Sequence, residues 1–94
     1  PIFRTHPSSG RKAIYANKVN TFCIEGMTEE ESAPVLQQLH DHVIRPENLY
    51  RHKWQVGDVL MWDNANAHHM AIGDYKLPQR RKLIRTSIKG TPVF

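Results

Sequence analysis

The sequence predicts a mainly β fold with one helix, part of a β-sandwich or jelly roll. One stretch combines helical spacing with a complete N-terminal cap, about six short stretches rich in β-forming side chains flank it, and turn residues separate them. At 94 residues the chain is one domain at most. A chain this short buries only roughly 60–65% of the surface it exposes unfolded. Hydrophobic residues at 39% and charged residues at 23% argue against wholesale disorder. No apolar run approaches the roughly 20 residues of a membrane-spanning helix. The lone Cys23 excludes an internal disulfide and a multi-cysteine zinc site, so a reducing, cytoplasmic setting is the expectation. The chain opens on Pro1 without methionine or a leader pattern, and reads as part of a longer protein.

The elements follow in order. His6-Pro7-Ser8-Ser9-Gly10-Arg11-Lys12 is a turn cluster in which proline and glycine supply the bend. Ala13–Ala16 and Thr21–Ile24 read as short strands, and Gly26 closes the second. Thr28-Glu29-Glu30-Glu31 is a capping box, with acidic side chains suited to the positive end of a helix. Val35, Leu36, Leu39 and Val43 keep helical spacing until Pro46 stops it. A helix is expected from about Glu29 to Ile44, with its first turn left open, because Pro34 would favour a start nearer Ser32. Tyr50–Trp54 alternates as a half-exposed strand, and Asp58–Asp63 follows as a more continuously buried one. Ala67–Ala71 is a short extended segment, and Lys82–Lys89 the final strand.

Charge is unevenly placed. Residues 1–75 carry seven basic and nine acidic residues, whereas residues 76–94 carry Lys76, Arg80, Arg81, Lys82, Arg85 and Lys89 and no acid. The basic segment lacks the interleaved aromatics and reading motifs of a nucleic-acid surface, so small carboxylates are the better-matched anions.

Six histidines invite a metal site. His40 and His42 lie roughly 200° apart around the helix axis and cannot share an ion. His6 and His52 read as ordinary loop and strand residues. His68 and His69, if extended, point to opposite faces, so only one can look into a given pocket. A site of two histidines and one carboxylate usually draws two ligands from His-x-Asp or His-x-Glu, and no such triplet occurs here. On the final strand Arg81, Leu83 and Arg85 share one face, and Ile84, Thr86 and Ile88 the other. Periodicity alone favours the isoleucines inward. The alternative is an inward arginine pair roughly 13 Å apart, each fork able to grip a carboxylate.

Arg4-Thr5-His6-Pro7, Gly10-Arg11-Lys12, Trp54-Gln55-x-Gly57-Asp58, Trp62-Asp63-Asn64, His69, Asp74-Tyr75, Gln79-Arg80-Arg81 and Arg85 occur in that order. The ordered set strongly resembles the C-terminal portion of the taurine dioxygenase and 2,4-dichlorophenoxyacetate dioxygenase family, over essentially the whole chain. The resemblance implies a double-stranded β-helix (jelly roll) binding Fe(II), with 2-oxoglutarate as cosubstrate. Residues 1–94 would be the C-terminal portion of the catalytic domain, with the half bearing His-x-Asp absent. The family's distal histidine ligand falls on His69, seven residues after Trp62. Its two downstream arginines, four residues apart, fall on Arg81, toward the far carboxylate of 2-oxoglutarate, and Arg85, toward the substrate anion. On that reading the arginines face inward. No residue here takes a catalytic acid, base or nucleophile role. Two departures stand out: the interval from His69 to Arg81 is one residue longer than usual, and Ala65 replaces an arginine common after Trp-Asp-Asn. The implied enzyme uses O2 to hydroxylate a small sulfonate, sulfate or carboxylate, and engages neither nucleic acid nor membrane. The competing reading is a non-catalytic β-sandwich module, or a degenerate family member, that binds an anionic partner. Oligomeric state stays open.

Overall fold

A computed structural model describes all residues from Pro1 to Phe94. Strands β1 (Phe3–Thr5) and β2 (Lys12–Ile14) form an antiparallel ribbon in the register Phe3 with Ile14, Arg4 with Ala13 and Thr5 with Lys12. The connecting turn needs Gly10, whose φ of 68° is one that side chains resist. The Gly10 amide donates to the His6 carbonyl at 2.9 Å, and the His6 amide to the Arg11 carbonyl at 2.8 Å. Across the ribbon, Lys12 Nζ donates to the Thr5 hydroxyl at 3.0 Å.

Helix α1 runs from Glu29 to Val43, close to the expected span. The first turn is now settled: the Thr28 hydroxyl accepts from the Glu31 amide at 3.2 Å, and the Glu31 carboxylate answers the Thr28 amide at 2.8 Å. Pro34 is therefore inside the helix, where it denies the Glu30 carbonyl its usual donor. Three leading glutamates and the reciprocal cap oppose that cost. Ser32 is fully buried, and its hydroxyl accepts from the Ile24 amide at 2.9 Å, fastening the incoming loop to the helix. At the far end, the Asn48 side chain donates to the His42 carbonyl at 2.9 Å, beside a short 3₁₀ turn at Pro46–Asn48.

The expected β-rich architecture is only partly present. Outside the ribbon, the strands expected at Thr21–Ile24, Tyr50–Trp54, Asp58–Asp63 and Lys82–Lys89 are not formed, and no jelly roll is seen. The reason is physical: a strand exists through its neighbour, and these segments have none to pair with. The chain makes 27 backbone hydrogen bonds, where a folded chain of this length makes roughly 65.

Packing agrees. No hydrophobic side chain is buried, and only Arg4 and Ser32 are. The accessible surface is 8906 Å², against roughly 5,600 Å² for a compact monomer of this mass. The radius of gyration is 16.1 Å, against about 12 Å for a compact domain. Ile84 and Ile88 are each at least 90% exposed, and Leu83 is 49% exposed, so neither face of the expected last strand is covered. No helix is long and apolar enough to cross a membrane.

Candidate functional site

The triplet Trp62-Asp63-Asn64 organises a turn in which each side chain has its own task. Asp63 Oδ1 accepts from the Ala65 amide at 2.8 Å, and the Asp63 carbonyl accepts from the Asn66 and Ala67 amides at 3.1 and 2.9 Å. Asn64 Oδ1 accepts the indole N–H of Trp62 at 2.8 Å, which orients the ring. That ring meets the imidazole of His69 with centroids 4.8 Å apart and planes tilted by 46°.

His68 and His69 have different surroundings. His68 Nε2 reaches the Ile14 carbonyl on β2 at 3.0 Å, which requires its proton on that nitrogen. His69 lies against Trp62 and is exposed, with neither ring nitrogen taken up by a protein hydrogen bond.

Asp63 is also tied to the ribbon. Its Oδ2 is 2.7 Å from His6 Nε2, a link between residues 57 apart in sequence. This hydrogen bond, then the Ala65 amide, holds the Asp63 carboxyl below its usual range, with smaller help from the charge of Arg4. Arg4 is buried on β1, with its guanidinium 5.4 Å from the Tyr15 ring centroid and its Nε without a partner. Sequence reasoning took His6 for an ordinary loop residue. The available signal was that His6 falls within Arg4-Thr5-His6-Pro7 and Asp63 within Trp62-Asp63-Asn64, although nothing in the sequence pairs them.

A second histidine–carboxylate pair is local. His52 Nε2 is 3.0 Å from Asp58 Oδ2, which also accepts the Gln55 amide at 2.9 Å, and the His52 ring meets Trp54 edge-on at 4.7 Å.

Arg81 and Arg85 are both exposed and stand on no strand, so the structure gives them no common inward face. Arg85 donates to the Ser87 hydroxyl at 3.5 Å. The ion pairs of the molecule are His6 with Asp63, Arg51 with Asp74 and His52 with Asp58. None uses a cation of residues 76–94, so this basic segment holds its charge uncompensated.

No three His, Cys, Asp or Glu side chains lie together as a metal site. The free imidazole of His69 has the donor chemistry of one iron ligand, and these residues do not complete a site by themselves. Cys23 is a free thiol.

A family model described as taurine catabolism dioxygenase TauD, TfdA family matches residues 1–87. Among curated relatives, the α-ketoglutarate-dependent 2,4-dichlorophenoxyacetate dioxygenase of a Burkholderia species is 38% identical over 96% of this chain and 30% of its own length. The α-ketoglutarate-dependent sulfate ester dioxygenase of Pseudomonas putida is 36% identical over 96% of this chain and 29% of its own. Pentalenolactone F synthase of Streptomyces avermitilis is 42% identical over 89% of this chain and 27% of its own. The chain thus spans about 30% of the length of the curated relatives it matches. No solved structure matches.

Proposed function

The chain belongs to the taurine catabolism dioxygenase TauD, TfdA family, and on that premise we propose that it is the C-terminal portion of an Fe(II)- and 2-oxoglutarate-dependent dioxygenase acting on a small anionic substrate. The observation that carries this reading is the family match across residues 1–87. Two relatives aligned over 96% of the chain carry α-ketoglutarate dependence in their names while those names differ in substrate: a phenoxyacetate in one, a sulfate ester in the other. Both are organic anions, hence the proposed class of sulfonate, sulfate or carboxylate.

In this reading His69 is one of three protein ligands to iron, and the other two lie outside these 94 residues, which hold no His-x-Asp or His-x-Glu. The bound iron supplies oxygen activation coupled to decarboxylation of 2-oxoglutarate. The chain's own contribution is binding and orientation. Arg81 takes the far carboxylate of 2-oxoglutarate through a bidentate pair of hydrogen bonds, and Arg85 takes the anionic group of the prime substrate. The uncompensated charge of residues 76–94 supports both assignments, because arginines without internal acid partners are available to an anion. The double-stranded β-helix belongs to the same proposal: the unpaired segments become its strands once their neighbours are present. The lone free thiol accords with a cytoplasmic location.

The test is steady-state kinetics on the complete natural polypeptide, scoring succinate released from 2-oxoglutarate with sulfonates, sulfate esters and aryloxyalkanoates. Succinate release should require Fe(II). Arg81→Ala should raise the KM for 2-oxoglutarate roughly ten- to a hundredfold, the value of a lost charged hydrogen bond. Arg85→Ala should spare that KM and impair the prime substrate. Absence of Fe(II)-dependent succinate would overturn the proposed activity, and reversed arginine effects would reassign the pair.

A further inference from the structure

The imidazole of His6 is gripped at both nitrogens. The backbone amides of Ser8 and Ser9 point at Nδ1 from 3.3 and 3.1 Å. Backbone N–H groups only donate, so Nδ1 presents a lone pair and carries no proton. On the other side, Nε2 lies 2.7 Å from Asp63 Oδ2, the length of a hydrogen bond to an ionised acceptor. An ionised carboxylate has no proton to give, so Nε2 is the donor. Both contacts select the same tautomer.

Asp63 then passes this constraint on. One carboxylate oxygen is fixed to the ribbon turn and the other to the Ala65 amide of its own turn. Trp62, the residue before, is locked by Asn64 and lies against His69. The segment 62–69 contains no regular structure that would orient it. Its hydrogen bonds to the ribbon are the His6–Asp63 contact at its start and the His68–Ile14 contact near its end. The first is the shorter, and it is the one to a charged acceptor. Arg4 on β1 adds a positive charge toward Asp63.

We infer that His6 and Asp63 are positioning residues: His6, neutral and protonated on Nε2, holds the turn at Asp63 against the N-terminal ribbon and thereby sets the Trp62 face against which His69 lies. This rests on the proposed role of His69 as an iron ligand, and extends it to two residues that touch neither iron nor substrate. Groups hydrogen-bonded directly to a ligand commonly change metal affinity ten- to a hundredfold; His6 and Asp63 act through Trp62, so the lower end of that range is expected.

The test uses the complete natural polypeptide and two separate readouts. Imidazole ¹⁵N NMR, with His6→Ala to assign the signal, should find the His6 proton on Nε2, and Asp63→Ala should shift the Nε2 resonance while the Ser8 and Ser9 amides keep the same tautomer. A proton on Nδ1, or free exchange of tautomers in the unaltered protein, overturns the inference whatever the iron results. Fe(II) titration is the second readout. His6→Ala should weaken binding roughly tenfold, and the double variant with Asp63→Ala should be no weaker than either single variant. His6→Gln places an amide N–H near the position of Nε2 and should restore most of the affinity. If His6→Ala lowers stability while the folded protein keeps full iron affinity, the pair is merely structural and the positioning role falls. Failure of the underlying reading looks different: His69→Ala itself would then leave iron binding intact.

Discussion

Residues 1–49 contain every helix and strand of the molecule, and residues 50–94 contain none. Composition does not account for the contrast, because the second region is rich in the side chains that favour strands: Val56, Val59, Tyr75, Ile84, Thr86 and Ile88 among them. The difference is the range over which each structure must be closed. Helix α1 is made from amides and carbonyls within one 15-residue stretch, and its cap from residues three apart. The ribbon pairs Thr5 with Lys12 across one glycine-bearing turn. A strand at 58–63 or 82–89 needs a neighbour distant in sequence, and within this chain none is supplied. Local order is written in local sequence; sheet order is not.

That division also explains what was legible. The helix, its box and its end before Pro46 followed from spacing and cap chemistry, whereas Pro34 left the first turn open until the reciprocal Thr28–Glu31 bonds resolved it. Half of the ribbon was anticipated around Ala13 and Ile14; Phe3–Thr5 was not. In the site, the expectation of different surroundings for His68 and His69 followed from the period of an extended chain, although no strand forms there. The His6–Asp63 contact did not, because periodicity says nothing about residues 57 apart. Periodicity alone put Arg81 and Arg85 outward and the resemblance put them inward; with no strand at 82–89, the structure gives them no common face.

The largest effect expected within the second region separates its two adjacent histidines. In the complete polypeptide, if His69 is the iron ligand proposed above, its loss should exceed the ten- to hundredfold range of outer partners, so His69→Ala should weaken Fe(II) binding by more than roughly a hundredfold. His68→Ala loses one exposed hydrogen bond to the Ile14 carbonyl and should change iron binding only slightly. Iron titrations of both variants decide it. Equal losses would show that the register of this segment, and with it the alignment from Trp62, is wrong.

A second measurement sharpens the contrast between regions directly. Amide hydrogen exchange on the isolated 94-residue chain should find protection confined to the ribbon and helix, with 58–63 and 82–89 exchanging as unfolded chain. Such a chain should also lack a cooperative unfolding transition, followed by the fluorescence of Trp54 and Trp62, because it has no buried apolar core. In the complete polypeptide the same two segments should become slow as their strands find partners. A cooperative transition in the isolated chain, with slow amides at 82–89, would break the argument from missing neighbours.

The smallest expected effect lies in the first region and probes whether locally encoded order also fails locally. Thr28→Ala removes the oxygen that accepts the Glu31 amide, while the Glu31 carboxylate can still reach the Thr28 backbone amide, so half of the capping box survives. Loss of a threonine cap typically costs about 1 kcal/mol. With exchange governed by fraying of the helix, that should accelerate the amides of the first turn of α1 about fivefold in the complete polypeptide. Thr28→Ser keeps the acceptor and should leave them nearly unchanged. The amides of 58–63 should not respond to either substitution, since nothing in the cap supports that segment. Acceleration spread equally through both regions would mean that the helix start and the sheet stand or fall together, and that the boundary near residue 49 separates two kinds of sequence signal without separating two levels of stability.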